Sequence, residues 1–266
     1  MHTRPATEDS DKTHPAEPAA PPRDIWLIGI GTGGLGHVTL EGMQALREAA
    51  VILVPRKGAG KDDLAEIRHR IIAESASPAR LVHFDYPERD PALPYQTRVA
   101  RWHDEIARRW QAAITAAAVD GPVALLVWGD PALYDSTLRI ARRLRPAPRL
   151  RVIPGITAIQ ALSAAHAIPL NAINGPVTIT TGRRLRETGW PAGAERVVVM
   201  LDGECSFLTL DPAPLYIWWG AYLGMAEELL DAGPLAEAGP RITRIRAEAR
   251  ARHGWLMDTY MLARAE

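Results

Sequence analysis

The chain has one cysteine, Cys205, in 266 residues. A single thiol cannot build a disulfide framework or a cysteine-ligated zinc or iron–sulfur site. Net charge is absent as well: 31 Lys and Arg balance 31 Asp and Glu, which argues against a nucleic-acid binder held by bulk charge. The eight histidines never take a His-Glu-x-x-His spacing, so no protein-held metal is expected. No apolar run is long enough to span a bilayer. Residues 1–23 are rich in Pro, Ala and charge and lack the apolar stretch of a secretory signal. They are expected to form a disordered tail on a soluble, cytoplasmic protein.

What is present is length enough for two modest domains with real cores. From residue 24 to about 144, short apolar runs alternate with amphipathic stretches. Strands are expected at 25–30, 51–54, 81–84 and 123–128, and helices at 38–49, 62–74, 96–119 and 133–144. Such βαβα order predicts a mostly parallel sheet covered on both faces. Residues 145–149 contain two prolines and form a connection. Beyond them come a run at 150–153, a small-residue helix at 156–166, and β-rich runs at 177–181, 196–200, 215–218 and 255–262, interrupted by a helix expected at 221–230. That texture suggests a mixed sheet. The expected fold class is α/β with two α/β domains, a mostly parallel N-terminal sheet and a mixed C-terminal one. The domains are expected at 24–128 and 129–266, with a ligand cleft at the junction.

Three turns carry the chemical signal. The run 123–128 ends at Trp128 and passes into Gly129-Asp130-Pro131, and strand carboxyl ends are where open α/β sheets bind ligands. Gly29-Ile30-Gly31-Thr32-Gly33-Gly34 matches the dinucleotide pattern Gly-x-Gly-x-x-Gly, but a second register, Gly31 to Gly36, matches equally well. The acid required about 20 residues on is replaced by Val54-Pro55-Arg56-Lys57. An NADP-linked reductase using Arg56 therefore stays open beside a glycine turn that closes over another ligand. The third turn is Ile153-Pro154-Gly155-Ile156-Thr157-Ala158.

Taken together, these turns in this order, with Ile168-Pro169-Leu170 after them, resemble the tetrapyrrole methylases, S-adenosylmethionine-dependent enzymes of corrin and sirohaem synthesis. The resemblance covers residues 25–262. Its finer features are His37-Val38-Thr39-Leu40, the extension through Leu133-Tyr134-Asp135-Ser136-Thr137, Trp218-Trp219-Gly220-Ala221-Tyr222-Leu223-Gly224 and Gly254-Trp255-Leu256-Met257-Asp258-Thr259-Tyr260. These are similar to the branch that methylates ring carbon 1 of precorrin-5 and releases acetate in aerobic cobalamin synthesis. A methylase acting at a different carbon is the nearest alternative, and a non-catalytic S-adenosylmethionine-binding protein a remoter one. Many family members carry an acid in the first turn, where this chain has Gly33-Gly34-Leu35-Gly36.

The resemblance implies tetrapyrrole methylase architecture, a homodimer, and a cofactor folded between the domains without a metal. Gly33, Trp128, Gly129, Asp130, Leu133, Thr157, Ala158, Met200 and Gly220 would hold that cofactor, with Asp130 mainly shaping the turn. Methyl transfer from a sulfonium needs mostly proximity and orientation. Acetate release calls for a general base, for which His37, Asp90, Tyr95 and His103 are candidates. Arg56, Lys57, Arg89 and Arg98 are candidates for the substrate's carboxylates. The run Arg241, Arg244, Arg246, Arg250 and Arg252 reads as a solvated helix face.

Overall fold

The computed structural model describes residues 22–56 and 62–264. Most of the expected tail and Lys57 lie outside them. The first sheet contains β1 (Asp24–Gly29), β2 (Val51–Pro55), β3 (Arg80–Phe84), β4 (Val123–Val127) and β5 (Arg149–Ile153), all parallel and ordered β3-β2-β4-β1-β5. Its helices are α1 (Leu40–Glu48), α2 (Asp62–Glu74), α3 (Tyr95–Ala117) and α4 (Thr137–Ala141). The apolar runs are continuous because both faces are covered. Ile25, Leu27, Leu53 and Leu125 pack with Ile106, Trp110 and Ile114 of α3. Ile28, Ile52 and Leu126 pack with Leu46 of α1 and Ile67 and Ile71 of α2.

The second sheet is mixed, ordered β6-β7-β10-β8-β9. Its strands are β6 (Val177–Thr181), β7 (Arg196–Met200), β8 (Leu215–Ala221), β9 (Leu229–Pro234) and β10 (Asp258–Arg264). Only the β6–β7 pair is parallel. One face carries α6 (Gly182–Thr188) and α7 (Leu235–His253) over Val197, Val199, Ile217, Trp219 and Leu262. The other carries α5 (Ala158–Ala165) over Val198 and Met261.

Three expectations change. The first sheet extends past the expected boundary at 128–131, because β5 lies along β1, pairing Asp24 to Ile28 with Arg149 to Ile153. The helix expected at 221–230 is a hairpin instead: β8 runs antiparallel to β9, with Tyr222 and Gly224 at positive φ in the turn. The helix expected at 133–144 shortens to α4: Tyr134 holds φ +49, and Asp135 accepts the Thr137 N–H at 2.6 Å in a turn ahead of the helix.

Candidate functional site

β1 and β4 are neighbours, and the connections leaving them run to opposite sides of the sheet, the arrangement that opens a crevice at the strand ends. The three glycine turns meet there. Gly31 and Gly129 form an isolated bridge, N–H to carbonyl at 3.3 and 2.8 Å. A Cβ on Gly155 would lie 2.1 Å from the Gly129 carbonyl oxygen, so only glycine permits the approach. Gly129 has φ +63 and an added Cβ would meet only Thr157 Cα, at 4.0 Å, so its backbone faces open space.

Asp130 ties this junction together. Its Oδ1 accepts the Ala132 N–H at 2.7 Å and its Oδ2 accepts the Gly155 N–H at 2.9 Å. Both oxygens thus serve backbone donors of two different turns, and the residue is a brace. The helix after the first glycine turn begins only at Leu40, capped by Thr39. Its N-terminus is displaced from the glycines that would cradle a dinucleotide's pyrophosphate, which counts against the reductase reading.

A cavity of about 290 Å³ opens at this junction. The segments before β5 contribute Thr32, Arg68, Trp128, Gly129, Asp130, Leu133, Tyr134 and Asp135. Beyond β5 the wall is Thr157, Ala158, Met200, Leu201, Tyr222, Leu223, Met225 and Met257 to Thr259. Tyr134, Leu201 and Tyr222 hold φ near +50, a conformation that non-glycine residues keep only where the surroundings enforce it.

Of the expected cofactor residues, Trp128, Gly129, Asp130, Leu133, Thr157, Ala158 and Met200 line this cavity. Gly33 and Gly220 stand one layer behind it. A Cβ at Gly33 would meet Met225 at 2.6 Å and Trp128 at 3.3 Å, and one at Gly220 would meet Leu223 at 2.7 Å.

The expected bases lie elsewhere. His37 is an interdomain staple: Thr32 Oγ1 lies 2.8 Å from its Nδ1 and donates to the Leu223 carbonyl at 2.7 Å. A hydroxyl has one proton, so Nδ1 must carry the hydrogen in its own bond. The His37 ring also fills the space over Gly224, whose Cβ would lie 2.3 Å from Cε1. Asp90 is exposed and caps its own turn, accepting from Ala92 N–H at 2.9 Å. His103 is buried in α3 outside the cavity. Burial first, then the nearby Arg143, Arg139 and Arg89 cations, hold its pKa below the usual histidine value. Tyr95 is exposed at the start of α3, with the Arg183 guanidinium of α6 5.0 Å from its ring.

The expected carboxylate-binding arginines also stand off the cavity. Arg56 pairs with Asp85, Arg89 stacks on Trp102 at 4.0 Å, and Arg98 lies 5.7 Å from the Tyr95 ring. Arg68, Leu201 and Met225 were missed, since they sit in no motif. The only trace of Arg68 is its place at the edge of the apolar stripe Ile67, Ile71, Ile72.

In the arginine run on α7, Arg244, Arg250 and Arg252 are exposed as expected, and Arg246 departs from that face. Arg246 is buried and bonds Asp258 through Nε at 2.7 Å and Nη2 at 3.2 Å. It also donates to the Asp202 carbonyl and to Cys205 Sγ. Trp219 Nε1 donates to the same Asp258 carboxylate at 2.8 Å. This network lies under β10 where its first residues reach the cavity. Trp218, next in sequence to Trp219, packs beside Tyr216 with ring centroids 4.4 Å apart.

A two-domain α/β fold with a cleft built from strand-end glycine turns defines a small-molecule-binding enzyme architecture. The model of the Tetrapyrrole (Corrin/Porphyrin) Methylases matches residues 24–239, and the chain belongs to that family. It is 44% identical over 248 residues to a Precorrin-6A synthase [deacetylating] of Sinorhizobium sp, covering 90% of this chain and 95% of the relative. A solved cobalamin synthesis related protein (CobF) from Corynebacterium diphtheriae superposes with a TM-score of 0.80 at 38% identity, over 92% of this chain and 100% of that one. The uroporphyrin-III C-methyl transferase from Thermus thermophilus, solved with S-adenyl homocysteine, shares the fold. Its TM-score is 0.58 at 17% identity, over 90% of this chain and 97% of that chain.

Proposed function

We propose that this protein is an S-adenosylmethionine-dependent C-methyltransferase of aerobic cobalamin biosynthesis. It methylates ring carbon 1 of precorrin-5 and releases acetate to give precorrin-6A. The observation that carries the reading is the backbone-built cavity between the domains, together with 44% identity along nearly the whole chain to a deacetylating precorrin-6A synthase.

The residues present fit the cofactor. The wall is largely apolar, with Trp128, Leu133, Ala158, Met200 and Leu223 available to an adenosyl group and the space beside Gly129, which carries no side chain, open to a ligand's close approach. When bound, S-adenosylmethionine supplies an activated methyl group on its sulfonium. The chain's own task is then orientation and exclusion of water, and a rigid junction does both. Asp130 holds two turns in register, the His37–Thr32–Leu223 link ties the domains, and the Arg246–Asp258 pair stiffens the start of β10.

For acetate release, Tyr134 is the cavity-lining group best suited to act on the acetyl carbonyl. Its phenol hydroxyl makes only a long bond, 3.5 Å, to the Ile179 carbonyl, a bond that a ligand carbonyl in the cavity could replace. Asp130 and Asp135 already accept from backbone. No helix among the described residues is long and apolar enough to cross a membrane; a cytoplasmic location belongs to this proposal on the likeness to a biosynthetic enzyme. The homodimer remains part of this proposal on family resemblance.

Calorimetry with S-adenosylmethionine and with NADPH, followed by turnover of precorrin-5 with mass detection of product and acetate, tests the reading. Binding of S-adenosylmethionine with one methyl gained and one acetate lost is expected. Failure to bind S-adenosylmethionine or its demethylated product would sink it. A methylated product without acetate would move the activity to another ring carbon.

A further inference from the structure

We propose that Leu201 is a specificity-determining residue for the macrocycle. With Tyr134 and Ile179 it forms an apolar shelf at the mouth of the cavity, on which one face of the tetrapyrrole lies, and Arg183 stands beside it for a carboxylate arm. This assignment rests on the methyltransferase reading and deepens it by placing the second substrate.

Leu201, Tyr134 and Ile179 are large apolar residues left 65%, 43% and 41% exposed. Leu201 and Tyr134 line one cavity, from the turns after β7 and β4. The Tyr134 hydroxyl reaches the Ile179 carbonyl on β6 at 3.5 Å. Exposed apolar side chains are ordinary when scattered, but grouped at the lip of a cavity they mark a binding surface. The backbone points the same way. Tyr134 holds φ +49 and Leu201 φ +53, a conformation that strains a leucine, which has no polar group to bond its own backbone in return. Packing does not offset that strain at a residue so exposed. The turn is nonetheless held fixed from behind. Asp202 accepts the N–H groups of Glu204 and Ser206, and Arg246 donates to the Asp202 carbonyl. Glycine or asparagine would hold such a turn with less strain, so the leucine side chain serves something outside the free chain.

Charge at the rim favours the macrocycle as that occupant. Strands β6 and β7 are parallel with Thr181 opposite Met200, so Arg183 and Leu201 leave the sheet at the same end. A Cβ on Gly182 would lie 2.4 Å from Asp202 Cγ, so the two turns are in contact. Arg183 is exposed, and its guanidinium shares the Tyr95 ring with that of Arg98, at 5.0 and 5.7 Å. Neither α3 nor α6 has an acid in its first turn. An apolar shelf edged by guanidinium groups matches a broad ring system that carries carboxylate arms.

The test uses the full chain and the variants Leu201→Gly, Leu201→Asn, Leu201→Met and Arg183→Gln. Urea midpoints of Leu201→Gly and Leu201→Asn should match or exceed wild type, because both residues accept the positive φ. In the same two variants, KM for the precorrin that the wild-type chain methylates should rise about five- to fiftyfold. Their Kd for S-adenosylhomocysteine, by calorimetry, should stay within about threefold. Leu201→Met, which keeps an apolar side chain of similar volume, should restore most of the lost KM. Arg183→Gln should raise KM about three- to tenfold and flatten its dependence on salt. A precorrin KM within twofold of wild type in both Leu201→Gly and Leu201→Asn overturns the shelf. Loss of S-adenosylhomocysteine affinity equal to the rise in KM also overturns it and gives Leu201 to the cofactor. Lowered urea midpoints in both variants would make Leu201 a packing residue and overturn it too. An unchanged KM in Arg183→Gln overturns the carboxylate half of the assignment. Wild-type protein that binds neither S-adenosylhomocysteine nor any precorrin overturns the methyltransferase reading itself.

Discussion

An acid at a strand end, in a cleft, invites a catalytic role, and Asp130 separates that idea from a structural one. In Asp130→Asn the new amide has one carbonyl oxygen for two backbone donors, Ala132 N–H at 2.7 Å and Gly155 N–H at 2.9 Å. Whichever way it turns, its NH₂ group faces a donor. The variant loses one charge-assisted hydrogen bond, weakens the other and leaves an N–H unpaired. Each such loss costs about 1–3 kcal/mol when buried. Since Asp130 is half-buried and water can replace part of the bonding, about 1–3 kcal/mol in total is expected. The damage falls on the relative position of the turns after β4 and β5, which line the cavity. The Kd for S-adenosylmethionine should therefore rise about tenfold or more, at 1.4 kcal/mol per tenfold. At saturating cofactor, kcat should stay within about tenfold of wild type, against the hundred- to ten-thousandfold loss typical of removing a general acid or base. Urea unfolding, cofactor calorimetry and steady-state kinetics on one preparation give all three numbers. A kcat loss of a thousandfold with unchanged stability and cofactor affinity would refute the brace and make Asp130 catalytic.

Three further outcomes follow from the same geometry. Asp258→Ala strands the Arg246 guanidinium, whose side chain is 7% exposed, and should cost about 3–5 kcal/mol in urea unfolding; a loss under 1 kcal/mol would show that water reaches the pair. Stability should hold from neutral pH down to about pH 5 and fall below about pH 4. Burial pushes the Asp202 carboxyl up, but hydrogen bonds from Ser206, Tyr260 and the N–H groups of Glu204 and Ser206 outweigh it and hold it below its ordinary 3.8. A group with a depressed folded pKa stabilises above its unfolded value and loses that contribution as pH drops through the folded one; Asp202→Asn should flatten the acid limb seen by thermal melts. Finally, Asp90→Asn and Tyr95→Phe should release acetate within about threefold of wild type, since neither residue lines the cavity and a general base contributes a hundredfold or more; a larger loss in mass-detected acetate would return that residue to the chemistry.

Short continuous apolar runs and glycine-ended strands are local signals, and they made β1, β2, β4 and the three turns legible in the sequence. Seven of the nine expected cofactor residues line the cavity, because they sit at or just beyond strand ends, where an α/β sheet opens its crevice. What local pattern could not reveal was pairing between distant segments. The strand β5 joined the first sheet because β1 offered an open edge, and the stretch after Trp219 became a hairpin because β9 found β8 as a partner. Helical spacing places Arg246 among surface arginines, yet Asp258, twelve residues on, draws it into the core. His37 and His103 look alike as candidate bases in one dimension. Packing made one a staple between the turns after β1 and β8 and the other a helix residue whose pKa burial lowers. Arg68 reaches the cavity wall without a motif, because what a helix face meets is set only by the segments that fold opposite it.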